Sequence, residues 1–455
     1  MFFINYDNIL SKSYDEKIRI LRRDTLSILE HAVKSVDPYE LVTNNVKFEH
    51  GILKVFGANG RAEIESQKGG KRRLVAFGKA SLAMAKALET IMDIDDGVVV
   101  IPHNQKGEKL NLEIIEAAHP TPDRGSIAAA NRVLEIAEKS GENDLFIALI
   151  SGGGSSLLAK PIKGITLEEK IEVTEQLLKS GCTINEMNAV RKHISAIKGG
   201  KLAAAASPAT TLALILSDVL GDPVDTIASG PTAKDTTSFK QAQDVFKKYG
   251  LWSRISENMK AVIEQGVEKE GGAKRPSFKA HNLIIGSNRI ASLAAREKAE
   301  TLGYNSILLT TQLEGESKEV AKVLTAIMKD IQQNNTPLSP PAAVIAGGET
   351  TVKVVGNGRG GRNQEFVLSA AMSMPQGDDG VVIASMGTDG IDGVSDAAGA
   401  IADGFTIKRA LEAGLSPDEY LQDNDSNTFF GKLDDTLITG RTGTNVNDIV
   451  VMLVT

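Results

Sequence analysis

The chain has 455 residues and a single cysteine, Cys182, so no disulfide can form within it and no thiolate cluster can hold a metal. A reducing compartment, the cytoplasm, is the expectation. No run approaches the roughly 18 consecutive apolar residues of a membrane-spanning helix. The most apolar stretch, LALIL at 212–216, is bounded by Thr211 and by Ser217–Asp218. The opening MFFINYDNILSKSYDEK carries acids where a transit peptide avoids them and has no continuous apolar core for secretion. The net charge of −7 argues against nucleic acid or an anionic membrane as partner. Several motifs are missing as well. There is no G-x-x-x-x-G-K-[ST] phosphate loop, no H-E-x-x-H and no C-x-x-C. The nearest approach to a hydrolase elbow, SGGGSS, has Leu157 where its last glycine would stand.

What is present is an α/β pattern. Hydrophobic residues make up 42% and charged residues 24%, values of a globular protein, and the length calls for two or three domains. Short apolar runs stop repeatedly at glycine, serine or aspartate, with helix-like sequence usually following. These are LVAF before Gly78–Lys79, LFIALI before 151–156 and TLALIL before 217–222. After a break come NLIIG, AAVIAGG and GVVIASMG. Runs without alternation suit strands covered on both faces, and their alternation with helices reads as parallel sheet. Such sheets bind ligands beyond the carboxyl ends of their strands, where all six polar turns fall. The segment 264–280 is the expected linker, which places one domain at 1–265 and another at 280–455. Asn288 is expected to cap a helix, Gly181 to end one, and the last segment, TLITGRTGTNVNDIVVMLV, to form a hairpin.

The polar turns carry the candidate chemistry. SGGGSS, with Gly152, Gly153, Gly154, Ser155 and Ser156, offers amides, hydroxyls and a helix start to a phosphate, or is simply a tight turn. Lys79 at a helix start is unfavourable to the helix dipole and suits an anionic partner. Asp218, Asp222 and Asp225 follow a buried strand and suit Mg²⁺ or a general base. Asp389 and Asp392 in GTDGIDG repeat the offer, without the glutamate of a calcium loop. NAVRKHISAIKGGKLA holds Arg191, Lys192, His193, Lys198 and Lys201. If helical, it presents Arg191 and Lys198 on neighbouring turns, as a face for an anion or as a solvated surface.

VVGNGRGGRNQEF at 354–366 has the G-x-G-x-x-G spacing of a dinucleotide turn, after a strand-like TTVKVV. A dinucleotide site places an acid about 20 residues on, at the end of the next strand. Asp378 and Asp379 fall in the intervening loop and Asp389 beyond the strand. Arg359 and Arg362 stand where that turn keeps small residues, and two guanidiniums suit a phosphate or a small carboxylate.

Taken in order, FGKASLAMA, ISGGGSSLL, NAVRKHISAIKGGKLA, LILSDVLGDPVDTIASGPT, AGGETTVKVVGNGRGGRNQE, GTDGIDGVSDAAGAIADG and TGTNV resemble glycerate 2-kinases of the MOFRL type, over roughly residues 20–455. The resemblance implies two α/β domains, a Rossmann-like N-terminal parallel sheet and a C-terminal MOFRL-type domain, with the active site in the cleft between them. It implies transfer of the γ-phosphoryl group of ATP to D-glycerate, with Mg²⁺, giving 2-phosphoglycerate and ADP. Carried over by motif, Lys79 would neutralise the transferring group, Asp218 would hold Mg²⁺ or orient the hydroxyl, and Arg359 would stabilise the transition state or grip the carboxylate. Gly152 to Ser156 would cradle nucleotide phosphates, Asp218 with Asp222 would serve the metal, and Arg191, Glu349, Arg362, Asn363 and Asp389 would serve the substrate. A monomer or homodimer is expected. The competing reading is a hydroxypyruvate reductase using NAD(P)H.

Overall fold

The computed structural model describes residues 2–13, 15–103, 105, 110–270 and 277–455, and it divides into two compact units. One comprises Pro38–Gly286. The other joins Met1–Asp37 to Ser287–Thr455.

The first unit opens with a three-stranded antiparallel sheet, β1 (Val46–Glu49), β2 (Ile52–Gly57) and β3 (Gly60–Glu65). Its main sheet contains β4 (Arg72–Phe77), β5 (Asp96–Pro102), β6 (Glu113–Ala117), β7 (Leu145–Ile150), β8 (Thr210–Leu216) and β9 (Ala280–Gly286). They lie in the order β6-β5-β4-β7-β8-β9, all parallel. Counted from β4 this is the 3-2-1-4-5-6 order of the dinucleotide-binding folds, whose ligands sit where the order reverses, between β4 and β7. Every residue of β7 is buried, as its unbroken apolar run requires. A second core, with Val173, Leu177, Val190, Phe246 and Ile263, is formed by helices Leu167–Lys179, Ile184–His193, Phe239–Lys248 and Glu257–Glu270. The helix Leu167–Lys179 starts at a capping box, in which Thr166 Oγ1 accepts from the Glu169 amide and the Glu169 carboxylate accepts from the Thr166 amide. It ends as expected, with Gly181 in the left-handed region.

The second unit holds β10 (Asn305–Leu313), β11 (Ala342–Gly348), β12 (Val381–Gly387), β13 (Gly399–Asp403), β14 (Thr436–Leu437) and β15 (Asp448–Val454). The order is β10-β11-β15-β12-β13-β14, and only β10 and β11 pair in parallel. Here the parallel reading is corrected. A strand buried on both faces shows the same apolar run whichever way its neighbours point. The expected terminal hairpin is absent too, because β15 inserts between β11 and β12 while β14 pairs with β13.

The division also departs from the expected boundaries at 1–265 and 280–455. The amphipathic helix Glu16–Lys34, capped by Asp15 on the Ile18 amide at 2.9 Å, packs on helix Asn288–Thr301 and on β12 and β15. Arg22, fully buried, bonds through Nε to Asp403 at 2.7 Å and through Nη1 to Asp435 at 2.6 Å. Residues 1–37 therefore belong with the C-terminal residues. The run NLIIG, which falls within the expected second domain, is β9 and completes the parallel sheet. Within the expected linker, the helix continues to Glu270, and 271–276 lie outside the described residues. Asn288 is the first residue of its helix rather than its cap, and its Nδ2 donates to the carbonyls of Val446 and Asp448. No helix among the described residues is long and apolar enough to cross a membrane.

Candidate active site

In the parallel-sheet unit, three strand ends meet at the switch point. Gly78 leaves β4 with φ +122°, and a Cβ there would lie 2.2 Å from Ser151 Oγ. The Lys79 amide donates to the Gly152 carbonyl at 2.9 Å, and Ser151 Oγ accepts from the Ala80 amide at 3.1 Å. The turns after β4 and β7 are thus tied together. Gly152 also abuts the turn after β8, since a Cβ on it would come within 2.2 Å of Asp218 Oδ2. These contacts bring Lys79, Gly152–Gly154 and Asp218 to one place. The Lys79 side chain is exposed. Burial pushes the Asp218 carboxyl above its ordinary value, and the Lys79 ammonium partly opposes that shift.

The phosphate cradle is narrower than its sequence suggests. The amides of Gly154 and Ser156 donate to the carbonyls of Ser151 and Gly153, and Ser156 Oγ donates to Gly153 as well. Ser155 Oγ faces the buried ammonium of Lys198, which also donates to the Ser155 carbonyl at 2.9 Å, and lies 3.2 Å from Ser229 Oγ. Of the other aspartates, Asp225 is paired with Lys192 at 3.1 Å, and Asp222 occupies a left-handed turn position with φ +56°. Among the described residues no group of three metal-ligating side chains occurs. Mg²⁺ carried on nucleotide phosphates needs only one or two carboxylates from protein, a demand that Asp218 fits.

Sequence reasoning misses His119 here. It follows β6 and lies against Gly153, where a Cβ would sit 2.9 Å from its Cδ2. Burial, then the Lys79 charge, lowers its pKa. The signal is the polar turn HPTPD after a strand, EIIEA, whose two glutamates interrupt any apolar run. The basic segment 188–203 is also not one helix. It breaks at Ile194, resumes at Lys201, and Lys192, His193 and Lys198 are buried. The solvated-face reading is thereby removed. Arg191 lies not with Lys79 but in a separate cavity with Lys170.

In the mixed-sheet unit, the G-x-G-x-x-G segment follows no strand. β11 ends at Gly348, and Val354 is 73% exposed. The loop's amides are occupied by its own chain: Val355 and Gly356 donate to Asn424 Oδ1, Asn357 to Asp423 and Arg359 to Asp425. Gly356 and Gly358 are required because any Cβ would strike residues 423–425 at 2.2–2.3 Å. The glycines serve chain packing, and the dinucleotide turn is excluded.

Arg362 forms a fork with Asp448, Nε at 2.6 Å and Nη2 at 3.0 Å, while Nη1 meets Glu349 at 2.8 Å. Glu349 also accepts from Asn447 at 2.9 Å. Asn363 is buried and fully engaged, donating to Asp448 and Asp392 and accepting from Ser385. Its side chain is therefore held within the fold, with its amide and carbonyl already bonded. Asp392 accepts from the amides of Asn363 and Gln364 at the start of helix Arg362–Ser373, and burial raises its pKa to about 6. Asp389 caps its own turn through the Ile391 amide at 3.0 Å. Arg359 differs from all of these: its side chain is exposed and makes no hydrogen bond or ion pair among the described residues.

Residues 24–264 match the model of a domain of unknown function, DUF4147, and residues 342–448 match the MOFRL family. A glycerate 2-kinase of Pyrococcus horikoshii is 41% identical across 96% of this chain and 98% of its own. The chain belongs to the MOFRL-type glycerate kinase family. A crystal structure of glycerate kinase from Thermotoga maritima superimposes with a TM-score of 0.85 at 39% identity, covering 96% of this chain and 99% of that one. An Agrobacterium vitis relative, 40% identical over 96% of this chain and 94% of its own, is named provisionally as a hydroxypyruvate reductase. Family membership extends over both units, so the elements carrying Lys79, Asp218 and Arg359 all lie within the shared length.

Proposed function

We propose that the protein is an ATP-dependent glycerate 2-kinase, transferring the γ-phosphoryl group to the C2 hydroxyl of D-glycerate. The observation that carries the reading is the meeting, at the switch point of the parallel sheet, of an exposed lysine with a desolvated aspartate beside a glycine turn. Phosphoryl transfer asks little covalent chemistry of a protein and much charge placement. Asp218 accepts the proton of the C2 hydroxyl as its oxygen attacks the γ-phosphorus. The bond from that phosphorus to the β–γ bridging oxygen breaks, and ADP leaves. Lys79 neutralises the equatorial oxygens, and the turn at Gly152–Ser155 orients the phosphate chain. Arg359, whose exposed guanidinium has no partner among the described residues, takes the substrate's anionic charge. Bound with the nucleotide, Mg²⁺ supplies charge neutralisation at its phosphates, and Asp218 and Asp222 are the carboxylates that would hold it. We place the reaction in the cytoplasm, in a monomer or homodimer.

The reductase alternative loses its glycine-spacing support, because the amides of 356–359 are occupied by residues 423–425 and no strand precedes the turn. The test is direct. Purified protein is given D-glycerate, ATP and Mg²⁺ with ADP release followed, and separately hydroxypyruvate with NAD(P)H. ADP release that depends on glycerate is expected. NAD(P)H consumption without ADP release would overturn the reading.

A further inference from the structure

Beside the glycine turn, the parallel-sheet unit contains a cavity of about 300 Å³ whose cations have no role in the transfer step described above. Its lining includes Ser155, Ser156, Lys170, Thr174, Arg191 and Lys198. Lys170 comes from helix Leu167–Lys179, Arg191 from helix Ile184–His193 and Lys198 from the turn that follows. Three separate pieces of chain thus deliver three cations to one space. Lys170 is only 4% exposed, and its ammonium has no hydrogen bond or ion pair among the described residues; neither has the Arg191 guanidinium. Lys198 reaches only the carbonyl and hydroxyl of Ser155. The one carboxylate on the lining, Glu175, is exposed and forms no ion pair with them.

An arrangement of this kind is unfavourable by itself. Buried charges in proteins are normally paired, and a desolvated ammonium beside two other cations is destabilised by burial and by repulsion. The side chains carry the mark of it. Burial, then Arg191 and Lys201, holds the Lys170 ammonium down to about 8. Burial, then Lys170 and Arg191, holds Lys198 well below the ordinary lysine value. Cations kept together without counter-charge are balanced by an anion that arrives from outside. A carboxylate brings one negative charge, whereas a phosphoryl group brings two and more acceptor oxygens, the better match to three converging donors.

We propose that this cavity is a phosphate-binding site, in which Lys170, Arg191 and Lys198 receive a phosphoryl group carried by a nucleotide or by free phosphate. It adjoins the glycine turn through Ser155, so the Lys198–Ser155 contact couples the cavity to the place where Lys79 and Asp218 meet. The identification of the ligand rests on the kinase reading; the existence of an anion site does not.

The test is calorimetric titration of the full chain with sodium pyrophosphate, inorganic phosphate, MgADP and D-glycerate in separate experiments, repeated on Lys170→Met and Lys170→Arg. Thermal denaturation without ligand accompanies each. Lys170→Met is expected to weaken phosphate binding by about tenfold or more while raising the unliganded melting temperature, and Lys170→Arg is expected to keep the affinity. Should Lys170→Met fail to fold, Arg191→Gln carries the same expectation for affinity. Parallel losses for pyrophosphate and MgADP assign the site to the nucleotide. A loss for inorganic phosphate alone assigns it to free phosphate. Wild-type protein that binds no phosphate, variants with unchanged affinity, or a loss confined to glycerate would each overturn the proposal. ADP release with unchanged phosphate affinity in the variants removes this site and leaves the kinase reading. Intact phosphate binding without glycerate-dependent ADP release does the reverse.

Discussion

In the mixed-sheet unit, Arg22 and Arg409 face Asp403 and Asp435 in a closed network, with Arg409 meeting Asp403 at 2.9 Å and Asp435 at 2.7 Å. In the parallel-sheet unit, Lys170, Arg191 and Lys198 face one another around a cavity. The first set has two positive and two negative groups. It fastens the helix Glu16–Lys34 to the end of β13 and to Asp435 before β14. The second has no internal counter-charge and adjoins the turn after β7. Burial alone therefore does not separate a structural cation from a functional one; the presence or absence of an internal partner does. Arg362 and Arg359, three residues apart, repeat the contrast on a smaller scale. One is held by Asp448 and Glu349, and the other is exposed without a partner.

The comparison can be broken at its closed side first. Arg22→Met leaves Asp403 and Asp435 short of one partner, so a loss of about 3–5 kcal/mol is expected, read by urea unfolding. A loss under 1 kcal/mol would show that the network does not hold residues 1–37 in place. On the open side, Lys79→Ala and Arg359→Ala should each lower turnover about 10²–10³-fold, the range for removing one charge-stabilising group. Their unfolding midpoints should stay near wild type, since neither side chain is buried. A parallel loss of stability would move either residue to the structural class. By contrast, Arg362→Ala should lower both stability and turnover, because Asp448 would then be buried without its fork.

The pH dependence of stability separates the two sets by pH window, with smaller effects. Burial raises the Asp403 carboxyl, but Arg22 and Arg409 outweigh it and hold it below its ordinary 3.8. Its unfolded form therefore binds more protons, so its contribution is present above about pH 4 and is lost as pH falls through the lower folded value. Lys170 is held down to about 8 from 10.5. Between those values the unfolded chain again binds more protons, so stability from this group rises as pH climbs from 8 to 10.5. The groups acting on it are Arg191, Lys198 and Lys201, with Glu175 at the rim. Lys201, also held to about 8 by burial, adds to the same window. Melting temperatures of wild type and Lys170→Met, compared from pH 8 to 10, should converge as the penalty is relieved. A constant difference would show that the ammonium is not under strain.

Much of this was legible in the sequence. Uninterrupted apolar runs ending at Gly78, Ser151 and Ser217 locate β4, β7 and β8 and the turns that carry Lys79, the glycines and Asp218. What sequence could not reveal was partnership. Arg359 and Arg362 look alike in GRGGRNQE, and only the fold shows Asp448 reaching one and not the other. Lys170 reads as one more charge in EEKIEVTEQLLK, because an amphipathic pattern does not say which polar side chain a second helix will cover. Sheet direction was hidden for a similar reason: AAVIAGG and DIVVMLV are buried on both faces, and burial is indifferent to strand polarity. The assignment of 1–37 was hidden because its contacts are to residues more than 250 positions away, such as Tyr304 on Asp24 at 2.9 Å and Thr444 on the Val36 carbonyl at 2.7 Å.

The measurement that bears most directly on the account is ³¹P nuclear magnetic resonance, without proton decoupling, of the product formed from ATP and D-glycerate. Transfer to the C2 hydroxyl predicts a new phosphoester signal split by a single carbon-bound proton, appearing in step with ADP. A signal split by the pair of C3 protons, or ADP without any phosphoglycerate, would contradict it.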